Sequence, residues 1–350
     1  MAAFLLATLL AGNPVVATDI DERSIEELGS ALRSGEMTSA AIVERQESRI
    51  DALNHAGPEL NCVVALNPQA LRDAKLLDEE RRQGKVRGRL HGVTFVIKDI
   101  IDVAGLPTTA GSLALVNNIA PADAGVVSRL RRAGAVVLAK ASTSEWANGR
   151  SLQSVTSWSA TGGLTRNPYV LDRTASGSSG GSAVAVAAGL SVAALGTDSD
   201  GSVLLPAAVN GIVGMRPTVG LVSRGGVIPF VRRQDTVGPM ARYVADAAAI
   251  LTVIAGSDPA DPDSSAADGH KTDYSSMLRR DALKGVRVGV MRFAIGSDAD
   301  AASVFDQALR VLQEEGAVLV DIPKPPSAPQ PSGDSRPVRW KVPTRRGVPQ

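Results

Sequence analysis

The chain has 350 residues, of which 44% are hydrophobic and 21% charged, and its formal net charge is +1. This balance gives no indication of a nucleic-acid partner or of an anionic membrane surface, and an aromatic content of 3% disfavours platforms that stack bases. A single cysteine and three histidines exclude a disulfide framework and a cysteine-rich metal site.

Residues 1–18 are predicted to form a signal peptide or an apolar N-terminal arm. The apolar run after Met1 is too short to span a bilayer. Residues 15–17 offer a cleavage site before Thr18, although no Lys or Arg precedes Arg23. Cleavage would place the protein in the periplasm or outside the cell, and an uncleaved arm would leave it in the cytoplasm.

Helical and strand patterns alternate between residues 19 and 322, which predicts an α/β layered fold. Ser24 and Glu27 match a capping box at the start of the first helix. Apolar periodicity predicts helices near residues 25–32, 38–53, 126–133, 182–189, 241–255 and 301–315. Apolar β-rich runs predict strands near residues 93–97, 135–139, 192–195, 286–290 and 317–322.

The pattern changes at residue 323. Residues 323–350 contain eight of the twenty prolines and four arginines, without apolar periodicity. Such a segment cannot bury enough surface to offset the entropy of ordering it. It is therefore predicted to be a disordered tail.

Two Gly/Ser-rich runs between residues 176 and 218 are the most unusual feature. A flexible linker is a poor interpretation, because an apolar segment follows each run. A phosphate-binding P-loop needs a lysine after its last glycine, but Ser182 follows Gly181. A dinucleotide-binding fingerprint needs a preceding strand, and residues 170–175 are too polar to form one.

Two serine-hydrolase interpretations remain. Residues 177–181 match the G-x-S-x-G nucleophile elbow with Ser179 as nucleophile, but that motif needs a preceding strand and a later histidine, and only His270 follows. The other uses a lysine as the base, which must be neutral to accept a proton. Lys98 directly follows an apolar strand and is the candidate; alternatively it is solvated or pairs with Asp99.

Three separated segments resemble the amidase signature family. They are residues 92–99 with Lys98, the Gly-Ser-Ser-Gly-Gly-Ser run at 177–182, and the Gly-Thr-Asp-x-x-Gly-Ser run at 196–202. They occur in the family's order, and the spacing of 24 between Ser178 and Ser202 also agrees. The resemblance covers residues 20–322, and residues 144–148, 165–169 and 234–242 are most similar to bacterial peptide amidases.

The resemblance implies a three-layer α/β/α fold with a central mixed sheet and a Ser–cis-Ser–Lys triad. Ser202 would be the nucleophile, Lys98 the base, and Ser178 the proton relay, with a strained or cis peptide bond to Gly177 or Ser179. It also implies a small amide or peptide-amide substrate and no metal or organic cofactor. The implied oxyanion hole consists of the backbone N–H groups of Ser199, Asp200, Gly201 and Ser202.

Two departures from the family qualify this expectation. Asp200 stands where family members commonly have glycine, which the peptide amidase branch tolerates. Family chains also continue beyond the position of Ile322 with further strands and a pocket wall, so the domain at residues 19–322 is expected to be truncated, marginally stable and weak as a catalyst. The alternatives are a glutaminase-type subunit of a tRNA-dependent amidotransferase and an inactive family member; no obligate partner is indicated.

Overall fold

The computed structural model describes residues 22–151 and 153–324. The chain divides into two compact units, one ending at Met277 and the other beginning at Leu278. The predicted signal peptide or arm and the tail from residue 325 onward lie outside the described residues. In the part that is described, no helix is long and apolar enough to cross a membrane.

Seven α-helices belong to the described part of the first unit. The first begins with the predicted capping box, because the Glu27 N–H donates to Ser24 Oγ (3.2 Å) and the Ser24 N–H donates to Glu27 Oε2 (2.7 Å). The helices are α1 (Ile25–Ser34), α2 (Ser39–Leu53), α3 (Ala70–Arg82), α4 (Gly125–Arg132), α5 (Gly180–Ala187), α6 (Leu204–Val209) and α7 (Val244–Ile254).

A mixed sheet organises this unit. The strands are β1 (Val63–Leu66), β2 (Thr94–Lys98), β3 (Val136–Ala141), β4 (Trp158–Ser159), β5 (Gly163–Leu164), β6 (Ala193–Asp198), β7 (Val213–Gly214) and β8 (Thr236–Ala241). Six of them form the sheet in the order β1-β3-β2-β6-β8-β7, and β4 pairs with β5. Strands β3, β2 and β6 are parallel, whereas β1, β8 and β7 pair antiparallel with their neighbours.

Apolar cores cover both faces of the sheet. Phe95 and Ile97 of β2 belong to a core that includes α4 and α7, whereas Val96 belongs to one that includes α2, α3 and α5. This division follows from the strand period of two, which sends successive side chains to opposite faces. The expected fold, a mixed sheet with helices on both faces, is therefore confirmed.

The parallel arrangement of β2 and β6 positions the candidate site. Both strands are fully buried in the middle of the sheet, which accounts for their nearly continuous runs of apolar and small residues. Strand β2 ends at Lys98 and β6 ends at Asp198. Because parallel strands end at the same edge of a sheet, these two polar residues share that edge.

The second unit contains β9 (Arg287–Val290), α8 (Ala299–Glu314) and β10 (Val318–Asp321). The two strands are parallel, and α8 is the crossover between them, as in a βαβ unit. Helix α8 begins where Asp298 Oδ1 accepts the N–H of Ala301 at 2.8 Å. All three predicted elements are confirmed, with boundaries shifted by one or two residues.

Candidate active site

Lys98 is fully buried and turned toward the start of α5. Its Nζ lies 2.7 Å from Ser178 Oγ, 2.9 Å from Thr197 Oγ1 and 3.3 Å from the Thr197 carbonyl oxygen. Ser178 is also buried. The structure thus brings together two residues that are 80 positions apart in the sequence.

Burial lowers the pKa of Lys98 to about 7, while the carboxylates of Asp198 and Asp235 act in the opposite direction. The physical cause is the cost of holding an ammonium ion away from water. A lysine with this pKa is substantially neutral near pH 7 and can accept a proton.

The alternative in which Lys98 pairs with Asp99 or faces solvent is wrong. Asp99 instead pairs with Lys140, with 3.1 Å between Nζ and Oδ1, and both side chains are buried. Lys140 Nζ also donates to the carbonyl oxygen of Pro107 (2.8 Å) and to Thr108 Oγ1 (3.0 Å). Sequence reasoning did not identify Lys140, although it follows the predicted strand 135–139 directly.

Ser178 lies just before α5, and its peptide bond to Gly177 is cis. Its carbonyl oxygen accepts hydrogen bonds from the Ser144 N–H (3.0 Å) and from Thr143 Oγ1 (3.2 Å). These contacts fasten the serine to the segment that follows β3.

Ser179 has a structural environment. Its fully buried hydroxyl donates to the Thr197 carbonyl oxygen (3.1 Å) and accepts the Thr197 N–H (3.2 Å). Its own N–H donates to the Ser202 carbonyl oxygen at 3.2 Å, so the Ser202 loop lies beside the start of α5. His270, which the nucleophile-elbow interpretation requires, is exposed. The surroundings of Ser179 therefore do not support that interpretation.

The Asp198 carboxylate organises the loop that carries Ser202. It accepts the N–H groups of Gly201 (2.8 Å), Val203 (2.8 Å) and Leu204 (3.4 Å). Gly201 has φ +88°, a conformation that favours glycine. Because the Gly201 N–H already donates to Asp198, it is occupied in this conformation.

Ser202 is the more accessible of the two serines. Its side chain is half-buried, whereas Ser178 is buried. Among the hydrogen bonds of the described residues, none joins the hydroxyls of Ser178 and Ser202, so their direct contact stays a prediction. Within the same residues, no group of His, Cys, Asp or Glu side chains is arranged to hold a metal ion.

Asp235 supports the same loop from the neighbouring segment. It accepts a hydrogen bond from Ser199 Oγ and the N–H groups of Phe230 (2.8 Å) and Val231 (2.9 Å). Sequence reasoning missed the roles of Asp198 and Asp235. The aspartate inside the Gly-Thr-Asp run was the available signal for Asp198.

The family model for amidases matches residues 42–332. The chain belongs to the amidase signature family. A probable amidase from Arabidopsis thaliana is 42% identical over 307 residues, covering 86% of this chain and 58% of the relative. A subunit of the Glutamyl-tRNA(Gln) amidotransferase from Carboxydothermus hydrogenoformans is 40% identical over 305 residues, covering 86% and 61%.

Among solved structures, the chain is similar to the native peptide amidase from Stenotrophomonas maltophilia, with a TM-score of 0.84 and 48% identity. That alignment covers 86% of this chain and 62% of the peptide amidase. A complex of the peptide amidase PAM with the competitive inhibitor chymostatin aligns with a TM-score of 0.83 and 47% identity. The chain thus spans between 58% and 62% of the length of these relatives.

Proposed function

We propose that this chain hydrolyses a carboxamide, and specifically the C-terminal amide of a peptide, to a carboxylate and ammonia. The observation that carries the proposal is the 2.7 Å contact between the fully buried Lys98 Nζ and Ser178 Oγ. When Lys98 is protonated it donates along this contact. When Lys98 is neutral, the Ser178 hydroxyl can donate to the free electron pair of Nζ.

In the proposed mechanism Ser202 Oγ attacks the amide carbonyl carbon and gives its proton to Ser178 Oγ, while Ser178 passes its own proton to Lys98 Nζ. The carbon–nitrogen bond breaks as the same two residues return a proton to the leaving nitrogen, which departs as ammonia. Water then attacks the ester on Ser202, and the carboxylate product leaves. Each step thus returns the Lys98–Ser178 pair to its starting state.

The negative charge on the attacked oxygen needs preorganised donors. The backbone N–H groups of Ser199, Asp200 and Ser202 are the proposed donors, since that of Gly201 is occupied by Asp198. Asp198 and Asp235 would hold this loop in place from two sides.

The test is turnover of a C-terminally amidated peptide by the purified chain. We expect release of ammonia and conversion of the peptide amide to the free acid by mass spectrometry. Ser202→Ala should abolish both, and the exposed Ser265→Ala should leave both unchanged. A stable, folded chain that releases no ammonia from any peptide amide or simple carboxamide would refute the proposal.

A second candidate is a glutaminase-type subunit that delivers ammonia to a partner enzyme. The 40% identity to a subunit of a tRNA-dependent amidotransferase favours it. The same triad would act, but on glutamine. Glutamine hydrolysis that requires added partner subunits and tRNA, together with no turnover of peptide amides, would select this candidate over the first.

A further inference from the structure

Two buried carboxylates face Lys98. Asp198 lies at the end of β6, and Asp235 lies directly before β8. Both favour the ammonium form of Lys98 and so oppose the effect of burial. Left uncompensated, they would hold a proton on the residue that the reaction needs to be neutral.

Arg216 contacts the segments that carry both carboxylates. Its Nε lies 3.1 Å from Asp198 Oδ1, and its Nη2 donates to the carbonyl oxygen of Gln234 at 2.8 Å. Gln234 directly precedes Asp235. The Arg216 side chain is 31% exposed, whereas the Asp198 side chain is fully buried. One guanidinium thus neutralises the first carboxylate and fixes the backbone beside the second.

The other charged residues near the end of β2 are already paired. Lys140 lies opposite Ile97 in the β2–β3 register and Lys98 lies opposite Ala141, so the two lysine side chains point to opposite faces of the sheet. Asp99 and Lys140 neutralise each other at 3.1 Å. The remaining contacts of Lys98 Nζ, with Ser178 and Thr197, are uncharged.

We infer that Arg216 is a positioning residue that keeps Lys98 available as a base, by neutralising Asp198 and by tying the Ser202 loop to the segment before Asp235. Without the guanidinium, the Asp198 carboxylate would act on Lys98 unopposed and would favour its ammonium form. The protonation state of Lys98 is a property of the resting protein; only its catalytic consequence rests on the proposed function.

The test is a titration of the Lys98 side chain by its ¹³Cε chemical shift, assigned with a Lys98→Met variant. We expect Arg216→Gln to raise the pKa of Lys98 by about 0.5–1 unit, as for a charge removed at several ångströms in a partly screened site. Arg216→Lys keeps the charge and should leave the titration close to that of the wild type. Arg131→Gln is the matched control, because Arg131 is 28% exposed and also contacts two carboxylates, Asp73 and Asp123.

An unchanged Lys98 titration in a folded Arg216→Gln protein would overturn the inference, as would an Arg216→Lys shift as large as that of Gln. If Arg216→Gln and Arg216→Met both lose their cooperative melt while Arg216→Lys folds and titrates normally, Arg216 serves stability alone and the inference is also overturned.

The titration does not depend on turnover. A shifted Lys98 in a protein that hydrolyses no amide would refute the proposed function and leave this inference standing. If turnover is present, the acid limb of kcat/KM should move to higher pH in Arg216→Gln and remain in place in Arg131→Gln.

Discussion

Two buried lysines lie side by side in this sheet and have opposite environments. Lys140 has a carboxylate partner, Asp99, at 3.1 Å. Lys98 has hydrogen-bond partners that are all uncharged, namely Ser178 and Thr197. A buried ammonium without a direct counter-ion is costly, so Lys98 loses its proton readily. This difference makes Lys98, and not Lys140, suitable as a base.

Lys98→Ala should lower kcat by about 10²–10⁴-fold, the usual contribution of a general base. The active form of Lys98 is the neutral amine, and burial lowers its pKa to about 7. Wild-type kcat/KM should therefore rise as the pH increases through 7 and level off above it. A pH profile from 5 to 9 checks this, with the exposed Lys271→Ala as control; a near-normal rate for Lys98→Ala at neutral pH would remove Lys98 from the mechanism.

Residue identities in the site were partly predictable. Lys98, Ser178 and Ser202 stand in motifs that can be recognised locally. The partners of the charged residues could not be read in this way, since Asp99 pairs with Lys140 and Asp198 with Arg216, each across a turn of the chain whose path is set by the sheet. Pairings of this kind depend on strand order, which periodicity does not contain.

At the scale of elements, the position of Ser178 depends on how closely α5 approaches the sheet. A methyl group on Gly181 would lie 2.5 Å from the carbonyl oxygen of Ser142 and 2.6 Å from that of Cys62. Both are backbone atoms beside strands, so they cannot move aside as a side chain would. Helix α5 therefore needs glycine at this contact, and the Gly-Gly pair is a packing feature of the motif.

Gly181→Ala should destabilise the protein by about 1–3 kcal/mol, the usual cost of overpacking, and should lower turnover because α5 shifts with Ser178. Thermal or urea unfolding measures the first effect. Gly269→Ala is the control, since nothing lies within 4 Å of a methyl group there. Equal stability of the two variants would show that α5 is not held by this contact.

The predicted elements were most accurate where apolar periodicity was strong, as in α2, α4 and α8. The predicted helix at 182–189 begins two residues too late, because Gly180 and Gly181 resemble a loop and yet belong to α5. The predicted helix at 241–255 is wrong at its start, since Ala241 ends β8. Helix α3 and the short strands were not predicted; β4, β5 and β7 have two residues each, too few to show a period.

For the whole molecule, Asp246 couples stability to pH. It is buried in α7, and its Oδ1 accepts the Ile25 N–H at the start of α1 at 3.0 Å. Burial raises the pKa of Asp246 to about 6, from an ordinary value of 3.8, although the Ile25 hydrogen bond acts in the opposite direction. Between these two values the folded state binds more protons than the unfolded state, so this residue makes stability fall as the pH rises.

Asp246→Asn removes the ionisable group and keeps an oxygen that can accept the Ile25 N–H. The variant should be more stable than the wild type by about 1–3 kcal/mol at pH 7.5, and the difference should shrink toward pH 4, where Asp246 is protonated in the folded state. Urea unfolding at both pH values measures this, with the exposed Asp172→Asn as control. An Asp246→Asn difference that is equal at both pH values would contradict the assignment.

The most direct test of the central claim is the site at which a serine-directed fluorophosphonate labels the chain. We predict a single adduct on Ser202, mapped by peptide mass spectrometry, that is lost in Ser202→Ala and strongly slowed in Lys98→Ala. Ser179→Ala should still be labelled on Ser202 if it folds, because the Ser179 hydroxyl only bridges α5 to Thr197. Labelling that persists in Ser202→Ala and disappears in Ser179→Ala would contradict the triad and identify Ser179 as the nucleophile.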